Sequence, residues 1–190
     1  PTIYNIQKFN KNMDKDLKAI DIIKQDIYAG NTYYLLSTDG NLWWKEAEEI
    51  ANNLGGHLVH INNERENNWI LNTFKESAIS YAIENDLPSQ SNISLWIGLS
   101  DHQQEGLYEW SSGFDSDYNN WIEGEPAGGS DENFIGMYIS DGWNNNAGKW
   151  HDIYTHSAGI DLPFAIVEIE SNLVIRGNSI YTIVDGPSWT

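Results

Sequence analysis

From about residue 90 onward this chain offers no long periodic segment. Its apolar residues come in short runs, Leu95 to Leu99, Phe134 to Ile139 and Phe164 to Ile169, divided by long stretches rich in Gly, Asn, Asp and Ser. Each run is the length of a strand, and the connections far exceed the usual loop of about four to six residues. Loops of that length inside a compact domain are held by something, and an acidic one can be held by a metal ion.

The first half reads differently. Residues 1–18 are polar and mixed in charge, a linker or a weak helix. Ala19 to Ile23 and Thr32 to Leu36 are β-branched and aromatic runs parted by Ala29-Gly30-Asn31, which predicts strand, turn and strand. Ala47, Ile50, Ala51 and Leu54 then share one face of a helix that Gly55-Gly56 ends. His57 to Ile61 reads as a short strand, and Asn62-Asn63 as the entry to a second helix over Glu64 to Phe74.

Composition narrows the class. The 190 residues include nine Trp and 40% hydrophobic residues, enough for a core despite a net charge of −18. The excess of 28 acidic over 10 basic residues argues against nucleic acid and anionic membrane surfaces as partners, and toward cations. No apolar run approaches the roughly 20 residues of a membrane-spanning helix, so no membrane insertion is expected. The absence of Cys excludes disulfides, thiolate chemistry and Cys-ligated zinc, leaving oxygen or the five His for any metal.

The chain also echoes itself. Asn178 to Ile183 followed by Asp185-Gly186-Pro187-Ser188-Trp189 repeats the order of Asn31 to Leu36 followed by Asp39-Gly40-Asn41-Leu42-Trp43, at an offset of about 147 residues. The echo predicts the severed start of a second copy, hence tandem modules of one chain. Chance similarity of two strand-and-turn segments is the alternative. The expected division is a linker or tail of a preceding module over 1–30, a domain over 31–170, and a linker with the truncated second copy over 171–190.

Trp44-Lys45-Glu46-Ala47 leads to Leu54-Gly55-Gly56-His57-Leu58-Val59. Farther on come Trp96-Ile97-Gly98-Leu99-Ser100-Asp101, Glu105-Gly106 with Tyr108-Glu109-Trp110, and Asn120-Trp121 with Gly124-Glu125-Pro126. Gly148-Lys149-Trp150-His151-Asp152 and Ile166-Val167-Glu168 follow. In this order and spacing, over about residues 31–170, they resemble a C-type lectin-like domain of the bacterial, cysteine-free type, one of tandem copies in a large adhesin-like protein. The resemblance implies an α+β fold, two helices flanking a twisted antiparallel sheet, with a long calcium-binding loop region. It places the family's disulfide positions at Ala51 with Val167 and Phe134 with Thr155, none of them Cys here. A missing crosslink of that kind is worth about 2–4 kcal/mol.

The resemblance further implies a calcium (Ca2+) site shared with the sugar, formed by Glu125, Glu132 and Asp152, with Ala127 and His151 standing where amides are expected. Calcium takes about six to eight oxygens, so two absent amides thin both the metal shell and the sugar contacts. A second site would draw on Asp101, Glu105, Glu132 and Asn133, with one of its acidic ligands appearing as Gly128. Glu125, Glu132, His151 and Trp143 are the candidates for touching a ligand. The plain alternatives are solvated loop carboxylates, a solvated His151 and a Trp143 that anchors its loop. The Glu125-Pro126 bond is a candidate for the cis form. His57 and His60, at i and i+3 on a strand, point to opposite faces, which argues against a shared metal, and His57 beside Gly56 reads as a packing residue.

The reading that follows is a noncatalytic Ca2+-dependent recognition module in a secreted or cell-surface adhesin. It would bind a carbohydrate or a peptide carboxylate, its partner a glycan or a peptide or protein on a cell or matrix surface. One alternative is a structural repeat in which calcium serves stability alone. Another is a metal-dependent hydrolase, for which no nucleophile stands at a recognisable spacing from a base.

Overall fold

The computed structural model describes residues 20–38, 42–87, 92–141, 145–154, 162–171, 173–176 and 179–182. Strands β1 (Ile20–Tyr28) and β2 (Asn31–Thr38) form the expected hairpin, with Ala29 and Gly30 at φ 51° and 98°. That left-handed pair is what a two-residue hairpin turn requires. β1 falls in the stretch expected as linker or tail, yet it pairs with β2 from Ile20 opposite Thr38 to Tyr28 opposite Asn31. The sheet therefore begins at Ile20, because Ile22, Ile23 and Tyr28 find apolar surface to pack on.

Helix α1 (Trp44–Asn53) buries Trp44, Ala47, Ile50 and Ala51, and the Glu46 carboxylate accepts from Trp43 N at its start. Strand β3 (His57–Leu58) is shorter than the five residues expected. Beyond it the backbone turns to a side chain, His60 N donating to Glu168 Oε2 at 3.2 Å. Helix α2 (Glu64–Glu84) is capped by Asn63, whose Oδ1 accepts from Glu66 N at 3.1 Å. It runs well past Phe74 because Ala78 and Ala82 continue the buried stripe of Ile70 and Phe74 at four-residue spacing.

Strands β4 (Ser94–Ser100), β5 (Glu109–Trp110), β6 (Glu132–Tyr138), β7 (Trp150–Tyr154) and β8 (Phe164–Ile169) complete the sheet. Its order is β1-β2-β8-β4-β6-β7, with β3 on β8 and β5 on β4. The sheet is mixed rather than wholly antiparallel, since β4 and β8 run parallel. β4 is delivered by the α2 crossover, and a crossover can supply a strand in either sense where a tight hairpin cannot.

Period-two alternation divides the core between the two faces. Leu35, Leu95, Ile97, Ile135, Met137 and Ile166 pack with Ile70, Phe74, Ala78 and Ala82 of α2. Leu36, Trp96, Phe134, Ala165 and Val167 pack with Trp44, Ala47, Ile50 and Ala51 of α1. Ala51 and Val167, where the resemblance placed one bridge, are both fully buried in this second cluster. Phe134, from the other pair, stacks on Trp44 with ring centroids 4.9 Å apart, and Thr155 lies outside the described residues. Among the described residues, strands β9 (Leu173–Arg176) and β10 (Ser179–Thr182) pair only with each other; Asn178 and residues 183–190 of the echoed segment are outside the described residues.

Candidate metal centre

Strand β7 sets the orientation of the site. Trp150 joins the α2-side cluster and Ile153 the α1-side cluster, so Asp152 shares the face of Trp150 and His151 takes the opposite one. In β6, strict alternation would put Glu132 beside Phe134 on the α1 side. A register shift between Glu132 and Phe134 breaks the alternation and turns Glu132 toward Asp152.

Glu125 arrives from the long loop, which is tied to β7 by Trp150 N donating to Asn120 O and Ile122 N to Trp150 O, both at 2.9 Å. Glu125 N donates to Ile122 O at 3.0 Å, Gly124 sits at φ 95°, and the Glu125-Pro126 bond is cis. The next two backbone amides, Ala127 N and Gly128 N, donate to Asp152 Oδ2 at 2.9 and 3.3 Å.

One oxygen from each of Glu125, Glu132 and Asp152 thus lies within 4.8 Å of the others. Asp152 is only 5% exposed, and its Oδ1 is buried without a hydrogen-bond partner, as is Oε2 of Glu125. Asp152 within hydrogen-bonding reach, then burial, pushes the Glu125 carboxyl up to about 7. Burial, then the charge of Asp152, raises Glu132 as well. Buried anionic oxygens left without donors are costly unless a proton or a cation meets them. An all-carboxylate set with no His or Cys suits a hard cation such as calcium better than zinc or copper, so the residues present fit the group that the motif implies.

His151 stacks on Tyr138 with centroids 4.3 Å apart, and its Nε2 is 3.1 Å from Ser94 Oγ, away from the carboxylates. Burial holds its imidazole down at about 4. Asp101 accepts from Gly106 N at 2.9 Å through Oδ2, Glu105 is exposed, and Asn133 Nδ2 donates to Ser130 O at 2.9 Å. Among the described residues, Asp101 and Glu105 do not join Glu132 in a cluster of three or more His, Asp or Glu ligand atoms. Trp143 lies outside the described residues. His60 stacks on Trp110 at 4.5 Å with Nδ1 3.0 Å from Ser112 Oγ.

Two features escaped sequence reasoning. The Ala127 and Gly128 amides that hold Asp152 left no side-chain signature. A buried network also joins Tyr33, whose hydroxyl lies 2.6 Å from Glu66 Oε1 and 2.8 Å from Glu168 Oε1. Its signals were an acid inside the apolar run Ile166 to Ile169 and the Asn63-x-x-Glu66 cap spacing.

Comparison with known proteins places the chain in a family. The model of the family described as Lectin C-type domain matches residues 41–158. A perlucin-like protein of Mytilus galloprovincialis is 27% identical over 66% of this chain and 70% of its own length. C-type lectin domain family 6 member A of Mus musculus is 29% identical over 67% of this chain, but the match takes in only 53% of that protein. Among solved structures, the mouse scavenger receptor C-type lectin carbohydrate-recognition domain superposes with a TM-score of 0.56 at 25% identity, over 77% of this chain and 95% of that one. Human lithostathine shares the fold at a TM-score of 0.60 and 20% identity, over 86% of this chain and 99% of its own. With more than half its length matched by the family model and the fold shared, the chain belongs to the C-type lectin domain family, whose lectins and lectin-like members are generally noncatalytic.

Proposed function

We propose that the domain is a Ca2+-dependent recognition module that binds a carbohydrate, or the carboxylate of a peptide, at Glu125, Glu132 and Asp152. The observation that carries this reading is the convergence of three carboxylates with two buried, unpartnered oxygens. Calcium, when bound, supplies open coordination positions that a pair of ligand oxygens can fill. Glu125 and Glu132 accept hydrogen bonds from ligand hydroxyls, while the Ala127 and Gly128 amides fix Asp152 through its other oxygen. With Ala127 in place of an amide side chain and His151 turned to the opposite face, single-module affinity is weak. Tandem copies in a secreted or cell-surface adhesin supply avidity. The tandem arrangement is supported by the echoed segment and by β9 and β10 pairing apart from the main sheet.

A glycan array probed with and without EDTA tests this, with binding expected in calcium and lost on chelation. A structural repeat stabilised by calcium is the second reading, favoured by Ala127 and His151. Absence of glycan or peptide binding in both conditions, alongside a large Ca2+-dependent rise in melting temperature, would establish that second reading instead.

A further inference from the structure

We infer that Asn67 is a positioning residue for the site: from helix α2 it fixes the segment 148–150, on which the placement of both Glu125 and Asp152 depends. The inference rests on the reading of the Glu125, Glu132 and Asp152 cluster given above.

Asn67 is fully buried near the start of α2, and both ends of its amide are used. Its Nδ2 donates to Gly148 O at 3.0 Å, and its Oδ1 accepts from Trp150 Nε1 at 2.9 Å. One planar amide thus grips two groups on either side of Lys149. The surroundings permit that approach and leave little else to replace it. Gly148 sits at φ 83°, and a Cβ built there would come within 3.2 Å of Asn67 Nδ2. The indole of Trp150 is buried with Trp110, Tyr118 and Trp121 at 5.7, 5.5 and 5.9 Å, all edge-on. Those rings fill the space without supplying an oxygen, so loss of Asn67 Oδ1 strands a buried donor.

Two routes lead from this grip to the carboxylates. Along β7, Asp152 follows Trp150 by two residues and shares its face. Across the loop, Trp150 N donates to Asn120 O and Ile122 N to Trp150 O, and Ile122 O in turn accepts from Glu125 N. Asn120 also joins the carbonyl that Asn67 holds, its Nδ2 donating to Gly148 O at 2.7 Å. Glu132 comes from β6 and uses neither route. A shift of 148–150 therefore moves two carboxylates relative to the third, and a metal shell assembled from separate elements loses its geometry.

Calorimetric titration of calcium into the full chain and its variants, with hydrogen exchange of the calcium-free proteins, tests this. Asn67→Ala should weaken calcium binding at least about tenfold and speed exchange at the Trp150 and Ile122 amides before any metal is added. Asn67→Asp, which keeps an acceptor for Trp150 but sets a carboxylate against Gly148 O, should act in the same direction. Phe74→Ala, farther along the same helix, should lower the melting temperature more than Asn67→Ala yet keep calcium affinity within about twofold. Undiminished affinity in Asn67→Ala, or an equal loss in Phe74→Ala, would overturn the inference, as would free exchange of the Trp150 and Ile122 amides in the calcium-free parent chain. No calcium binding by the parent chain would overturn the cluster's reading as a metal site. Exchange would then decide the inference alone, with faster exchange in Asn67→Ala upholding the role in placing 148–150 and unaltered protection refuting it.

Discussion

The Tyr33 hydroxyl carries one proton but reaches two buried carboxylates, Glu66 and Glu168. It donates to one of them, so the other contact needs a proton from the acid. Burial, with the charge of Glu66 adding to it, holds the Glu168 carboxyl above its ordinary 4.5. An acid whose folded pKa exceeds its unfolded one takes up a proton on folding, so its contribution to stability declines as pH rises above about 4.5. Glu168→Gln, which removes the titrating group and keeps the side-chain length, should flatten that decline in denaturant unfolding followed from pH 5 to 8. A slope equal to that of the parent chain would contradict the assignment. His60 acts in the opposite sense, since burial lowers its imidazole to about 4 and stability is lost as pH falls below 6.5. At this scale the sequence was half legible: the odd acid in an apolar strand was visible, but not the hydroxyl that joins it to α2.

Among the elements, periodicity was the readable quantity. α1, the first hairpin and β8 follow from runs whose spacing matches one period. α2 was read short because alanine carries little hydrophobic signal, although Ala78 and Ala82 are fully buried. Alternation along β7 decides that His151 and Asp152 diverge, yet the irregularity beside Glu132 breaks the same rule in β6, and nothing local in Glu132-Asn133-Phe134 announces it. The α2 contact with the sheet depends on Phe74, fully buried, with Trp69 edge-on to it at 5.7 Å. Phe74→Ala should cost about 3–5 kcal/mol in denaturant unfolding while leaving calcium affinity within about twofold. A loss below about 1 kcal/mol would mean that α2 is not held by that stripe.

Over the whole molecule, a fold without crosslinks is held by two apolar layers on either side of one sheet, with Ala51 and Val167 packed where the resemblance placed a bridge. The loop region is tied to β7 by the backbone around Asn120, Ile122 and Trp150, and through Asp152 by Ala127 and Gly128. The order of the motifs was enough to identify the family and to name Glu125, Glu132 and Asp152, three carboxylates that the structure brings within 4.8 Å of one another. It could not show which of the remaining acids join them, since the reach of Glu132 depends on the space at Gly128. A net charge of −18 points toward cations without locating one, and most of the 28 acidic residues lie outside the cluster of three. The most direct test is a crystal of the protein grown or soaked in calcium and examined by anomalous scattering. A peak between the carboxylates of Glu125, Glu132 and Asp152 is the predicted result, and no peak there at saturating calcium would contradict the account.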